Sequence, residues 1–250
     1  MHESYDLFSP FYRELIVESG HFEDETRLAE LLITKFDIES TDYILDAACG
    51  TGDLLNFLKT KGYSNIYGID GSLGMIEKAK EILPPNILLN EKWENLNNHH
   101  NLTGKFDMVI VLSLSLLHAD EVHLPKILNN IKKIIKKGGV LVFDNRNWFY
   151  DSQNNLIEPN RTNEFRMLNR ITKSDKNFDI SDKCSYSNGR QIITYKIENC
   201  QSATENIELN VSYLIKTHNQ YESMLLKAGF DKAGHEKTKG WPYEIIYSIK

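Results

Sequence analysis

The stretch Ile44–Leu55, ILDAACGTGDLL, constrains the fold more than any other part of the 250-residue chain. An apolar run ends in Asp46, small residues and Cys49 follow, and Gly50-Thr51-Gly52 precedes Asp53 at the start of a helical pattern. Glycine at the end of a buried strand costs backbone entropy. Its use points to a turn that other residues cannot make, or to a ligand that the backbone must approach closely. A strand, a glycine turn and a helix in that order also open a βαβ unit, and so a parallel sheet.

The rest of the chain repeats the alternation. Leu28, Leu31, Leu32 and Phe36 recur at helical spacing within 23–36. After YILDAA, Leu54, Leu55, Phe57 and Leu58 predict a helix stopped near Gly62. NIYGID reads as a second strand. Met75, Ile76, Ala79, Ile82 and Leu83 mark the next helix, which should stop at Pro84-Pro85. NILLN and FDMVIVLSL are the third and fourth strands. Leu124, Ile127, Leu128, Ile131, Ile134 and Ile135 form a long apolar stripe, with Gly138-Gly139 as its expected end and VLVFDN as the fifth strand.

From 148 to 216 the pattern changes. QIITYKIEN and IELNVSYLI alternate like antiparallel strands, and the stretch before them reads as polar and irregular. QYESMLLKAGF is a helix ended at Gly229, and FDKAGHEKT and YEIIYSI are a closing strand pair. The expected fold is therefore α/β: a Rossmann-like, doubly wound sheet over a single domain, 1–250, mostly parallel with an antiparallel C-terminal strand. A small antiparallel β insertion at 148–216 covers the binding edge. Right-handed crossovers gather the strand C-termini along that edge, where such sheets bind ligands. Asp46, Asp70, Lys92-Trp93, Ser113 and Asp144 all fall at or just past those ends.

Composition narrows the function. The net charge is −6, and no basic patch suited to nucleic acid stands out. Lys132-Lys133 and Lys136-Lys137 read as the solvated face of an amphipathic helix. Three cysteines, Cys49, Cys184 and Cys200, lie far apart without a CxxC pair. That argues for reduced thiols and against a disulfide framework or a zinc site, so no metal is expected. Cys49 reads as a small packing residue. MHESYDLFSPFYRELIVESG lacks an apolar core of signal-peptide length, and no run approaches a membrane span. A cytoplasmic location without membrane or nucleic-acid partners is the expectation. The oligomeric state is not legible.

Two ligand families use such a glycine turn. The dinucleotide fingerprint G-x-G-x-x-G needs a third glycine where the helix meets the strand, and counting from Gly50 that place is Leu55. S-adenosylmethionine has no pyrophosphate and needs only close passage beneath its amino-acid and ribose portions. LDAACGTG, YGID and the region to Asn147 together resemble the class I S-adenosylmethionine-dependent methyltransferases. The resemblance implies that Asp46, Ala48, Gly50 and Gly52 line the methionine end of the cofactor, with Leu112 in the same site. Asp70 would bind both ribose hydroxyls, a task suited to a carboxylate that accepts two hydrogen bonds from a diol. Trp93 would flank adenine. Taken alone, Asp70 has a second, less favoured reading as a turn or N-cap aspartate.

The acceptor side is less specific. LSLSLLHA follows the fourth strand, without the Asp/Asn-Pro-Pro-aromatic signature of nucleic-acid amine methyltransferases. A small-molecule acceptor is expected. FDMVIVLSLSLLHA and KKGGVLVFDNRNW resemble the glycine/sarcosine N-methyltransferase group. That likeness gives Arg146 the grip on an acceptor carboxylate, where a guanidinium fork donates two parallel bonds. It also matches Tyr5 to the family's early tyrosine, in an N-terminal helical lid over 1–40. Leu114 stands where the family has a contacting asparagine and Asn145 where it has a histidine, so the expected acceptor is larger or more apolar than glycine. Arg146 has a second reading, an ion pair with Asp144. His118 has two as well, a proton acceptor with a pKa near neutrality or a hydrogen bond to loop backbone. The implied reaction is methyl transfer to an amine or amino-acid-like nitrogen, leaving S-adenosylhomocysteine. O-methylation and a non-catalytic subunit of the same fold are the alternatives.

Overall fold

The computed structural model describes residues 2–18, 20–147, 164–202 and 206–250. Trp148 and the start of the insertion lie outside them. The elements run α1 (His2–Glu18), α2 (His21–Lys35), β1 (Ile44–Asp46), α3 (Asp53–Thr60), β2 (Ile66–Asp70) and α4 (Leu73–Ala79), followed by β3 (Leu88–Asn90), β4 (Phe106–Val111), α5 (Leu124–Ile134) and β5 (Ile135–Asn145). Then come β6 (Arg166–Lys173), β7 (Lys176–Ser187), β8 (Arg190–Asn199), β9 (Ile207–Leu214), α6 (His218–Lys227), β10 (Lys232–Lys237) and β11 (Glu244–Ile249).

The main sheet has the order β10-β11-β5-β4-β1-β2-β3. Strands β1 to β5 are parallel, and β11 runs antiparallel to both neighbours, β5 and β10. Met108, Val109, Ile110 and Val111 of β4 are fully buried, as a strand covered on both faces requires. Helix α5 buries Leu124, Ile127, Leu128, Ile131 and Ile134 in the core beside the sheet, at about 1.5–3 kcal/mol per side chain relative to exposure. From β1 the chain builds outward to β3 on one side, then returns to place β4 and β5 on the other. The crevice at that reversal, between the ends of β1 and β4, is where this architecture binds ligands.

Four local expectations change. Helix α4 ends at Ala79, so Ile82 and Leu83 lie in the turn beyond it. Leu31 of α2 is 47% exposed. The glycine pair does not cap α5. That helix ends at Ile134, and Gly138 (φ 82°) and Gly139 lie within β5. A Cβ on Gly139 would stand 2.9 Å from the Asp107 carbonyl and 3.0 Å from that of Phe106. The pair lets β5 pass close against β4, where the register shifts. Finally, the described part of the stretch before β8, from 164 onward, is not irregular. It forms β6 and β7, which complete a separate four-stranded sheet, β6-β7-β8-β9. Its hairpins turn on Ser174-Asp175 and Asn188-Gly189, all at positive φ. One face of β7 buries Phe178, Ile180, Asp182 and Cys184.

Helix α1 is held between this second sheet and the binding edge. Phe8 stacks on Tyr195 of β8, and Phe11 meets Phe178 of β7 edge-on. Asp6 accepts from the Ser72 hydroxyl (2.6 Å) and the Gly74 N–H (2.8 Å) at the start of α4. Arg13 donates to Asp53 (3.0 Å) and to the Thr51 carbonyl (3.0 Å). Among the described residues no helix is long and apolar enough to cross a membrane.

Candidate active site

The two loop glycines do different work. Gly50 (φ 51°) walls the cavity, and a Cβ there would have only Tyr12 within reach, at 3.8 Å. Its N–H donates to Asp70 Oδ2 (2.9 Å). Gly52 (φ 82°) faces away: a Cβ there would lie 2.8 Å from Leu83 Cδ1 and 3.1 Å from Ala79 Cβ. A side chain at Gly52 would therefore point at α4 and not into the cavity. The glycine serves the turn and the contact of α3 with the turn after α4. The missing third glycine of the dinucleotide pattern is also explained. Leu55 fits because Gly68 on β2 has no side chain, and a Cβ there would sit 2.7 Å from Leu55 Cδ1.

A cavity of about 580 Å³ opens beside Gly50, walled by Tyr5, Tyr12, Asp70, Trp93, Ser113 and His118. The Trp93 indole N–H donates to the Ala47 carbonyl (2.6 Å), which fixes the ring as a flat wall. Asp70 accepts from Gly50 N–H and from Ser72 N–H (2.8 Å). A neighbouring recess of about 460 Å³ holds Asp46, Ala48, Leu112 and Glu25 together with Gly50. Asp46 Oδ1 accepts the Ala48 N–H (3.1 Å).

The acids of this region share one perturbation. Burial pushes Asp70 up to about 6, against the backbone N–H groups of Ser72 and Gly50 that oppose the shift. Burial pushes Glu25 up to about 7 and Asp144 up to about 7, and it raises Asp46 as well. Carboxylates crowded into a poorly solvated recess favour a cationic ligand or one rich in hydroxyl donors. Sequence reasoning missed Glu25. Its signal was its place: with Leu28 and Leu32 it lies on the buried stripe of α2 at i, i+3, i+7, where a carboxylate is out of pattern.

The loop after β4 is strained and pinned. Ser113 (φ 58°) and Leu114 (φ 62°) are consecutive non-glycine residues in the left-handed region. Asp144, fully buried at the end of β5, accepts both of their N–H groups, at 3.1 and 2.6 Å, and the Trp241 indole N–H at 3.2 Å. The Ser113 hydroxyl joins Glu25 (3.0 Å) and His21 Nε2 (2.9 Å). Arg190, on β8, was also missed. It donates to the carbonyls of Ala119 (3.1 Å) and Leu117 (3.2 Å) and to the Ser212 hydroxyl (2.5 Å), tying the second sheet to this loop.

Those contacts place His118. Its Nδ1 lies 2.9 Å from the Ser212 carbonyl, which can only accept, so Nδ1 carries the proton. In the neutral ring Nε2 is then an acceptor, and it takes the Tyr5 hydroxyl at 2.8 Å. One nitrogen of His118 is thus anchored to backbone, and the other faces a cavity residue. Burial raises the Tyr5 phenol well above its usual range, so it stays protonated.

Arg146 does not pair with Asp144. Asp144 is occupied as described, and no ion pair joins the two among the described residues. The guanidinium lies over the rings of Tyr213 (5.5 Å) and Tyr243 (5.6 Å), and its buried Nε has no hydrogen-bond partner. It borders a further cavity of about 660 Å³ with Tyr5, Tyr12, Leu114, Tyr195 and Tyr213, adjoining the first through Tyr5, Tyr12 and Ser113. Asn145 faces elsewhere, donating to the Lys216 carbonyl (2.9 Å).

Residues 44–139, which span the glycine loop, Asp70, Trp93 and the loop after β4, match the family model described as a methyltransferase domain. That segment is similar to the methyltransferase domains of class I that use S-adenosylmethionine. Among curated proteins the chain is 34% identical over 105 residues to the ubiquinone/menaquinone biosynthesis C-methyltransferase UbiE of Campylobacter jejuni, covering 40% of this chain and 42% of that one. It is 30% identical over 152 residues to glycine N-methyltransferase of Mus musculus, covering 55% and 49%. The match thus spans less than half of the length of either relative. Among solved structures, the sugar N-methyltransferase KedS8 from Streptoalloteichus superposes with a TM-score of 0.72 at 17% identity, covering 94% of this chain and 91% of that one. At that identity the likeness is one of fold.

The cavity of the methyltransferase domain fits this cofactor on its own geometry. Gly50 leaves space above the loop, Asp70 borders that space with lone pairs to spare, and the acid-rich recess suits an ammonium beside a sulfonium. A pH dependence follows. A carboxylate must be ionised to accept two hydroxyls, and burial raises Asp70 to about 6. Binding that requires the ionised form releases a proton wherever the free protein holds one. Affinity for S-adenosylmethionine should therefore rise with pH through about 6 and level off above it, by up to about tenfold per pH unit for each proton released. Calorimetric titrations between about pH 5 and 7.5 measure this. Affinity that stays flat or falls across that range contradicts the assignment.

Proposed function

We propose that the chain methylates an amine nitrogen of a small molecule that also carries an anionic group. The acceptor is held in the aromatic cavity beside Tyr5. One observation carries this reading: the half-buried Arg146, whose Nε lacks a partner, borders a cavity that adjoins the cofactor cavity through Tyr5 and is otherwise lined mostly by tyrosines and apolar side chains, with His21 and Ser113 at its edge. Such walls accept an organic cation or an apolar body, and the guanidinium adds a fork for a carboxylate or phosphate. In this reading Asp46, Ala48 and Leu112 hold the methionine end of the cofactor. Gly50 passes beneath it, Asp70 takes the ribose and Trp93 flanks the adenine. Helix α1 acts as a lid and the β6–β9 sheet as a cap. Glycine N-methyltransferase and the sugar N-methyltransferase, as their names say, methylate nitrogen, which agrees with this reading; UbiE is a C-methyltransferase.

The cofactor supplies an electrophilic methyl group on a sulfonium. The chain's own residues orient and deprotonate. Tyr5 donates its proton to His118 Nε2, and its oxygen, which Tyr213 also reaches, can accept an N–H from the acceptor in place of that contact. As that N–H proton moves to the Tyr5 oxygen, the phenolic proton passes to Nε2, and Nδ1 keeps its proton on the Ser212 carbonyl. Alignment of a neutral amine with the methyl supplies the remaining acceleration. The same relay can deprotonate a hydroxyl, which keeps O-methylation as the second reading.

The test is a screen of amines, amino acids and amino sugars for formation of S-adenosylhomocysteine, with the position of the new methyl group read by NMR. Active acceptors should pair an amine with an acidic group. Turnover confined to uncharged alcohols would replace the proposal with the second reading.

Arg146→Lys provides a sharper check. It keeps the charge and loses the fork. Catalytic efficiency with an anionic acceptor should fall by about 1.5–3 kcal/mol, roughly 10- to 150-fold, with cofactor affinity unchanged. Normal kinetics combined with a lowered Tm would make Arg146 structural.

A further inference from the structure

At the opposite flank of the sheet from the cofactor loop, four side chains from three elements converge. His218 opens α6 and Glu222 lies one turn along it. His235 is on β10, and Glu244 begins β11. Ligand atoms of His218, His235 and Glu244 all lie within 4.8 Å of one another. The two imidazoles stack at 4.1 Å between ring centroids. His218 Nδ1 is 2.5 Å from Glu244 Oε2, yet both atoms are buried without a hydrogen-bond partner. The side chain of Glu244 is 7% exposed. The two make an ion-pair contact whose geometry is not that of a hydrogen bond, and both lie among the clustered donor atoms. Lys237 Nζ stands 3.8 Å from the other oxygen of Glu244, Oε1. Its side chain is 75% exposed, so it does not neutralise Oε2 by burial.

We propose that His218, His235 and Glu244 form a binding site for one divalent transition-metal ion of the zinc class. Two imidazoles and one carboxylate are a donor set that such ions take, with a fourth position left for water. Glu222 supplies the outer support. Its Oε1 hydrogen-bonds His235 Nδ1, which leaves Nε2 as the ligating nitrogen and fixes the ring. The sequence gives no motif for this site, because the ligands come from a helix start and two strands brought together only by folding.

The placement gives the ion a role. Glu244 pairs across the sheet with Asn145, the residue before Arg146, and follows Tyr243 of the aromatic cavity. His218 comes two residues after Lys216, whose carbonyl Asn145 holds. An ion here ties the chain leaving the second sheet to the strand corner that carries Arg146 and Tyr243. It acts as a structural clip behind the acceptor cavity.

The experiment uses the full chain stripped with a chelator and titrated with Co²⁺ alone, with visible absorption and bound metal per chain as readouts. One ion per chain with d–d bands, displaced by Zn²⁺, is expected. His235→Asn should abolish the bands, and Glu222→Gln should weaken binding by about 10- to 100-fold. His235 is partly exposed, so its variant should fold; circular dichroism checks this. As a second measurement, Zn²⁺ should raise the Tm of the wild type but not of His235→Asn. The proposal is overturned by stoichiometric binding that survives His235→Asn, by sulfur charge-transfer bands that assign the ion to cysteine, or by the absence of both bound Co²⁺ and a Zn²⁺-dependent Tm.

Discussion

Asp70→Ala should weaken S-adenosylmethionine binding by at least about tenfold, and by about a hundredfold when both ribose bonds are lost at ~1.5 kcal/mol each. The carboxylate has a double task. It accepts the N–H groups of Gly50 and Ser72, so it shapes the loop, and its remaining lone pairs face the cavity. Alanine removes both functions, and Asp70→Asn separates them in part. The amide keeps the size but presents one donor where an acceptor is needed, so its affinity should fall between wild type and alanine. Calorimetry with both variants measures the order. Unchanged affinity in Asp70→Ala removes Asp70 from the cofactor site and leaves it as a turn aspartate.

Gly52→Val should act mainly on stability. The residue sits at φ 82°, and a Cβ would fall 2.8 Å from Leu83 Cδ1. Forcing a branched residue into the left-handed region costs about 1–2 kcal/mol, and overpacking adds about 1–3 kcal/mol. The sum of about 2–5 kcal/mol corresponds to a fall in Tm on the order of 4–20 °C for a domain of this size. Gly50→Ala should differ in kind. Its Cβ has room beside Tyr12, so beyond the strain of φ 51° its effect appears as reduced cofactor affinity. If Gly52→Val leaves the Tm unchanged and abolishes binding, the division of labour between the two glycines is reversed.

The main sheet was legible because its signals are local. Strands fully buried on both faces read as apolar runs, and the α5 stripe repeats at helical spacing without a break. Asp46, Asp70 and Trp93 could be placed at the cavity edge from sequence because strand ends fix where ligands bind in such a sheet. The misses have physical causes too. Strand β7 hides its buried face, since Asp182 and Cys184 stand where large apolar residues would have shown the alternation. Asn188-Gly189, a strong hairpin signal, lay in plain view between β7 and β8. Gly138-Gly139 reads as a helix stop in sequence, and only the carbonyls of Phe106 and Asp107 show that close strand packing requires it. The direction of Gly52 follows from the path of α4, which no window around residue 52 contains. Glu25, Arg190 and the His218–His235–Glu244 cluster depend on pairing between distant segments. Of these, only Glu25 left a trace, as an acid on a core-facing stripe.

The central claim is that the crevice between Gly50, Asp70 and Trp93 binds S-adenosylmethionine. Calorimetric titration of the wild-type chain near pH 7.5 with S-adenosylmethionine, S-adenosylhomocysteine and NADH tests it most directly. The account predicts saturable one-to-one binding of the first two, lost together in Asp70→Ala, and no binding of NADH. Saturable binding of NADH without binding of S-adenosylmethionine would contradict it.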